Sequence, residues 1–163
     1  MQYLISIILL FNIMALHAQK QATNQHFWHT VETTAPPERI WKIWTDVSNW
    51  KAWDTGLKDA QLEGVFKLNA KGFIISLEGR KAKFKVTEYI ENQSYTYKTA
   101  LPLGGLYIKR YLSAESGKTT FTHEVWFEGL TKKIFAKILG SDFQKMLPEV
   151  LQNIKNLAEN ARS

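Results

Sequence analysis

The stretch ETTAPPERIWKIWTDVSNWKAWD, residues 32–54, decides how this chain is read. It starts as extended, threonine-rich sequence and turns at a pair of prolines. Pro36 or Pro37 suits the first turn of a helix, and Glu38 favours its positive end. Ile40, Trp41, Ile43, Trp44 and Val47 then recur at the 3–4 residue spacing of a helix with one buried face. Asp46, Ser48 and Asn49 end that helix, and Ser48 or Asn49 can cap a short second one carrying Trp50 and Trp53. Four of the chain's six tryptophans fall within residues 41–53. That is too much aromatic surface for an ordinary exposed helix, so these rings face a solid core, a membrane or a cavity.

Working outward, HFWHTVETT (26–34) reads as a strand leading into the helix. After residue 54 the period changes. LKDAQLE (57–63), KGFIISLEG (71–79), KAKFKVTEYIE (81–91), SYTYKTAL (94–101), GLYIKRYLSA (105–114) and KTTFTHEVWFE (118–128) all read as extended. Phe84, Val86 and then Ile90 alternate against Lys81, Lys83 and Lys85; Phe73, Ile75 and Leu77 alternate against Ile74, Ser76 and Glu78. The separators are short and rich in turn residues, as in Asn92-Gln93, Pro102-Leu103-Gly104-Gly105 and Ser116-Gly117, which argues for an antiparallel meander. A helical pattern closes the chain. Thr131–Leu139 meets a break at Gly140, and Ser141 to Gln144 reads as a capping box. A stripe from Phe143 and Leu147 through Leu151 to Leu157 follows, with Pro148 expected to kink it.

The order is therefore strand, two short helices, six antiparallel strands, one long helix. A sheet with one apolar face must cover it, and only the last helix is long enough to lie along it.

At 163 residues, 45% hydrophobic and 22% charged, the chain suits one folded domain. Residues 4–16 form a nearly continuous apolar run, shorter than the ~20 residues of a spanning helix. They suit the h-region of a secretory signal peptide, with Ala18 before a cut. The expectation is a signal peptide over 1–18, a mature domain over 19–163, and a periplasmic or secreted location. With no cysteine, disulfides, thiol catalysis and a lipidated-cysteine anchor are excluded. The net charge of +6 favours anionic surfaces without specifying nucleic acid.

The chain resembles the helix-grip fold of the START and birch-pollen-allergen (SRPBCC) superfamily, and within it the polyketide cyclase/dehydrase branch. The likeness rests on residues 32–54, on Val86-Thr87-Glu88-Tyr89-Ile90 before a turn, on GKTTFTHEVWFEG (117–129) before the last helix, and on NIKNLAE (153–159) near its end. It spans residues 26–160. It implies an α+β fold: a seven-stranded curved antiparallel sheet wrapped around a long C-terminal helix, with two short helices after the first strand. It also implies a pocket between sheet and helix that relatives use for lipids, sterols, polyketides, quinones or plant hormones.

Aromatic and aliphatic side chains suit such a pocket. From the short helices the candidate is Trp53, expected near the mouth. The sheet offers Phe73, Ile75 and Leu77, then Phe84 and Val86, Tyr97, Ile108, and finally Phe121, Val125 and Phe127. The last helix offers Phe143, Leu147 and Leu151. Arg110 is in phase with Leu106, Ile108 and Leu112. Facing inward, it would be a buried cation needing a carboxylate or an anionic ligand group. The rarity of buried arginine favours the other phase, with Tyr107 and Tyr111 inside. His123 is in phase with Phe121 and Val125 and could meet a ligand carbonyl. Tyr95 and Tyr97 are further hydrogen-bond donors.

The functional expectation is a binding or carrier protein for a hydrophobic small molecule. The alternatives are a cyclase or dehydratase-type enzyme, with His123 and Arg110 polarising a carbonyl, and a cavity-free scaffold that binds another protein, which a filled space between sheet and helix would favour. No metal site or cofactor motif is legible; His26 and His29, three apart in a strand, point to opposite faces. Lys132, Lys133 and Lys137 could meet an anionic membrane surface. No nucleic-acid partner is expected, because the lysine faces lack interleaved aromatics.

Overall fold

The computed structural model describes residues 21–160; the expected signal peptide lies outside the described residues. Strand β1 (His26–Thr33) leads into helix α1 (Pro37–Thr45) and a 3₁₀ helix (Val47–Ala52). Six strands follow: β2 (Leu57–Glu63), β3 (Lys71–Ser76), β4 (Lys81–Ile90), β5 (Ser94–Leu101), β6 (Gly104–Glu115) and β7 (Lys118–Gly129). The chain ends in α2 (Lys132–Phe135), a π-helical turn (Ala136–Gly140) and α3 (Ser141–Asn160). All seven strands form one antiparallel sheet in the order β1-β7-β6-β5-β4-β3-β2. Consecutive strands pair as neighbours from β2 onward, as short turns require. The first strand closes against the last.

Helix α1 forms where expected. Pro36 is its extended N-cap, Pro37 opens it, and Ile40, Trp41 and Trp44 are buried. Asp46, rather than Ser48 or Asn49, organises the next turn: its carboxylate accepts from Ser48 Oγ at 2.8 Å and Asn49 Nδ2 at 2.6 Å. Arg39 donates to the Ala158 carbonyl at 2.8 Å, fastening α1 to the end of α3.

The expected break at Gly140 is absent. Phe135, Ala136 and Ser141 all keep helical dihedrals, so Ser141 is inside a helix and caps nothing. One wide π turn absorbs the irregularity. Gly140 is there for another reason: a Cβ on it would lie 2.2 Å from the Asn24 carbonyl oxygen. The helix runs on through Pro148.

Besides a register shift in β2 between Leu57 and Asp59, two departures from simple alternation bear on the interior. In β4 the register shifts between Val86 and Glu88. This bulge restarts the phase, so Tyr89 packs against the core and Ile90 is exposed. In β3 the inward residues are Gly72 and Ile74, not Phe73, Ile75 and Leu77. Gly72 sits opposite Phe84, whose ring occupies the space a side chain would need. That pairing sends Phe73 outward, where Lys81 Nζ lies 3.5 Å over its ring. Ile75 shares that outer phase, and Leu77 lies beyond the strand and is exposed. These three are therefore not pocket residues.

Candidate functional site

The sheet register stacks the inner face into rows. One row is apolar: Val86, Tyr97, Ile108, Val125 and Phe27 stand opposite one another across β4, β5, β6, β7 and β1. The next row is Tyr89, Tyr95, Arg110, His123 and His29. Arg110 thus points inward, contrary to the favoured phase. Tyr107 is outside instead, stacked on Trp126 at 5.2 Å, and Tyr111 is exposed.

Arg110 is 1% exposed. Its guanidinium carbon lies 4.6 Å from the ring centres of both Trp50 and Trp53, 5.4 Å from Tyr97 and 5.6 Å from Tyr95. The rings neutralise part of the cost of burying a cation through their quadrupoles. A short relay holds the box together. Arg110 Nη1 donates to the Tyr95 hydroxyl, which donates to the Trp44 carbonyl at 3.1 Å. Trp50 Nε1 donates to the same carbonyl at 2.8 Å, so the 3₁₀ helix is pinned onto α1. Each of these buried indoles removes ~200 Å² from water, on the order of 5 kcal/mol as an upper bound.

Among the described residues no carboxylate forms an ion pair with Arg110. Asp54, immediately after Trp53, acts on it only at longer range. Burial raises the Asp54 carboxyl, an effect partly offset by Arg110 and by the Gly56 N–H donated at 3.1 Å. Burial likewise pushes the Tyr95 hydroxyl up to about 12 and the Tyr97 hydroxyl upward, so both are neutral donors. Burial, then the charge of Arg110, holds His123 well below the ordinary imidazole range. His123 is therefore neutral, 1% exposed, with its ring 5.5 Å from Trp44 and 6.0 Å from Trp53.

Several polar atoms in this interior have no partner: Arg110 Nε, His123 Nε2, Trp53 Nε1, Trp44 Nε1 and Thr99 Oγ1. A buried donor or acceptor left unmade costs about 1–3 kcal/mol. Native proteins retain few of these, and each is a place that a water, an ion or a ligand can complete.

Phe84, Val86, Tyr97, Ile108, Phe121, Val125, Phe127, Leu147 and Leu151 are all buried as expected, and Phe143 packs against this core. Arg110 and its rings lie among these side chains. A cleft of about 470 Å³ lies between α1, the 3₁₀ helix and the end of α3, bordered by Ile43, Asp46 and Leu157, with Trp53 in its wall. Trp53 thus separates this cleft from Arg110 and His123. Asp54 and Thr99 were not singled out from the sequence. Thr99 shares the β5 phase of Tyr95 and Tyr97, which could have found it; Asp54 closes the tryptophan-rich stretch.

A family described as "Polyketide cyclase / dehydrase and lipid transport" matches residues 24–159. No curated protein sequence matches the chain. Among solved structures, a protein from Mesorhizobium loti superposes with a TM-score of 0.68 at 12% identity, covering 85% of this chain and 100% of its own. Norcoclaurine synthase from Thalictrum flavum, solved with dopamine and hydroxybenzaldehyde, gives 0.63 at 13% identity, covering 85% and 88%. Ara h 8.0201 gives 0.65 at 13% identity, covering 83% and 98%. These likenesses establish the helix-grip fold.

Proposed function

Because this chain belongs to the polyketide cyclase/dehydrase and lipid-transport family, within the START and birch-pollen-allergen superfamily, we propose that it binds an apolar small molecule bearing an anionic group. The guest sits between the sheet and α3 with its anionic end on Arg110. One observation carries this reading: Arg110 is a fully buried cation without a neutralising carboxylate, with Nε free. A carboxylate would meet the planar donors of the guanidinium, and the surrounding indoles and phenols would cover its apolar part. Trp53 lies between the cleft and Arg110, so a guest entering from the cleft displaces this ring.

Tryptophan fluorescence tests this, because Trp50 and Trp53 flank Arg110. Long-chain and aromatic acids should quench it saturably, and Arg110→Met should abolish the response. Flat curves across acids and their methyl esters alike would refute the binding function. Equal response to acids and esters would refute the role of the anionic group.

A second reading, a cyclase or dehydratase, is favoured by the free Nε2 of His123 opposite Arg110. Arg110 would polarise a carbonyl while neutral His123 donates to or accepts from the reacting oxygen. Turnover that survives His123→Ala would eliminate it. We further infer that residues 1–18 direct export and are removed. Amino-terminal sequencing of protein recovered from its own host should begin at Gln19; recovery of intact Met1 would overturn this.

A further inference from the structure

We propose that the end of the sheet carrying the β5–β6 turn and α2 is a docking surface for anionic membranes. The inference does not depend on which guest the interior takes.

Four large apolar side chains stand in solvent there. Leu103, in the β5–β6 turn, is 73% exposed, and Leu130, just after β7, is 87% exposed. Ile134 and Ile138, one helical turn apart, are each 59% exposed. They belong to one surface: Gly104 pairs with Gly129 at the ends of β6 and β7, and the Leu130 N–H donates to the Leu103 carbonyl at 3.0 Å. Leu130, Ile134 and Ile138 recur every four residues, while Phe135 and Leu139 turn inward to the core. Contiguous apolar patches on a folded surface mark interaction sites.

Leu103 adds an independent sign. Its φ is 54°, the left-handed region that a leucine adopts only at a cost. The tight turn between Leu101 and Gly104 imposes this conformation, and the side chain placed there stands in solvent. Strained backbone of this kind clusters at functional sites.

The charge around the patch selects the partner. Lys132, Lys133 and Lys137 alternate with the isoleucines and are exposed, and none forms an ion pair among the described residues. On the outer face of the sheet, three rungs from the same turn, Lys71, Lys85 and Lys98 stand in one cross-strand row, which Glu63 of β2 closes opposite Lys71. Like charges directly opposite are unfavourable in a free sheet and favourable against an anionic plane. The acidic Glu128 nearby is engaged by Trp126 Nε1 at 2.8 Å. Apolar tips that enter the headgroup boundary, ringed by lysines that meet lipid phosphates, are the pattern of an interfacial membrane contact. Among the described residues no helix is long and apolar enough to cross a membrane.

Flotation of the protein from Gln19 onward, free of the apolar run over residues 4–16, with phosphatidylcholine vesicles, with and without about one third phosphatidylglycerol, tests the surface. Binding should appear only with the anionic lipid and weaken as salt rises. Leu130→Ser/Ile134→Ser should lower binding about tenfold or more, as should Lys132→Gln/Lys133→Gln/Lys137→Gln. These side chains are exposed, so both variants should melt as the parent does. Three outcomes would overturn the proposal: no flotation with anionic vesicles, variants that float like the parent, or a dimer in sedimentation that Leu130→Ser/Ile134→Ser dissociates, which would assign the patch to a second copy.

Discussion

Arg110 and His123 stand directly opposite one another on β6 and β7, both buried, and neither carries a neutralising partner. Burial, and then the permanent cation beside it, keeps that imidazole neutral. The same pair leaves Nε and Nε2 unsatisfied within one row of the sheet. Stability and the proposed ligand binding therefore pull against each other at this spot.

The pH dependence follows from His123. Its folded pKa is depressed by burial and by Arg110, whereas the unfolded value is ordinary, near 6.5. Below about pH 6.5 the unfolded chain takes up a proton that the folded chain refuses, so stability falls on acidification. One such group contributes up to about 1.4 kcal/mol per pH unit. Asp54 acts in the opposite sense: its raised folded pKa makes the folded state hold a proton more tightly as pH falls toward 3.8. The His123 effect is isolated by comparison with His123→Gln. Its unfolding midpoint should drop less between pH 7 and pH 5 than that of the parent, by urea denaturation. Parallel losses in the two proteins would remove His123 as the cause.

Arg110→Met should stabilise the ligand-free protein. Replacing buried charge by apolar volume is commonly neutral or favourable by about 1–4 kcal/mol. Here Arg110 has a single hydrogen bond and four rings but no counter-ion. A thermal melt should show a higher Tm. A marked fall would mean that the rings and Tyr95 more than offset the cost of desolvation.

Trp50→Phe should destabilise by about 1–3 kcal/mol. The change removes the Nε1 bond to the Trp44 carbonyl and alters the stack on Phe84, whose ring centre lies 5.4 Å away. Urea denaturation reads this directly; an unchanged midpoint would contradict the pinning role of Trp50.

Gly140→Ala should destabilise, although alanine is the better helix former. The new Cβ would meet the Asn24 carbonyl oxygen at 2.2 Å, so backbone must shift. Overpacking of this kind costs about 1–3 kcal/mol. A gain in stability would show that the segment around Asn24 yields freely.

The order of elements was legible because it rests on local rules. Pro36 and Pro37, the tryptophan spacing and the turn residues each act within a few positions, and all seven strands stand where alternation places them. The inner face was legible wherever alternation is unambiguous, as from Phe121 to Phe127. It failed in β3, where Phe73, Ile74 and Ile75 are apolar on both sides, and beyond Val86, where one bulge reverses the phase.

The sequence alone determined the succession of strand, helices, meander and final helix, because period and turn chemistry act over short distances. Only the tertiary structure decided that Arg110 faces inward, that Tyr95 and two tryptophans enclose it, and that Gly140 lies within a helix. Those outcomes depend on which strand meets which and in what register. Register is set by side chains far apart in the chain, such as Gly72 yielding to the ring of Phe84. A slip of one residue would turn Arg110 out to water.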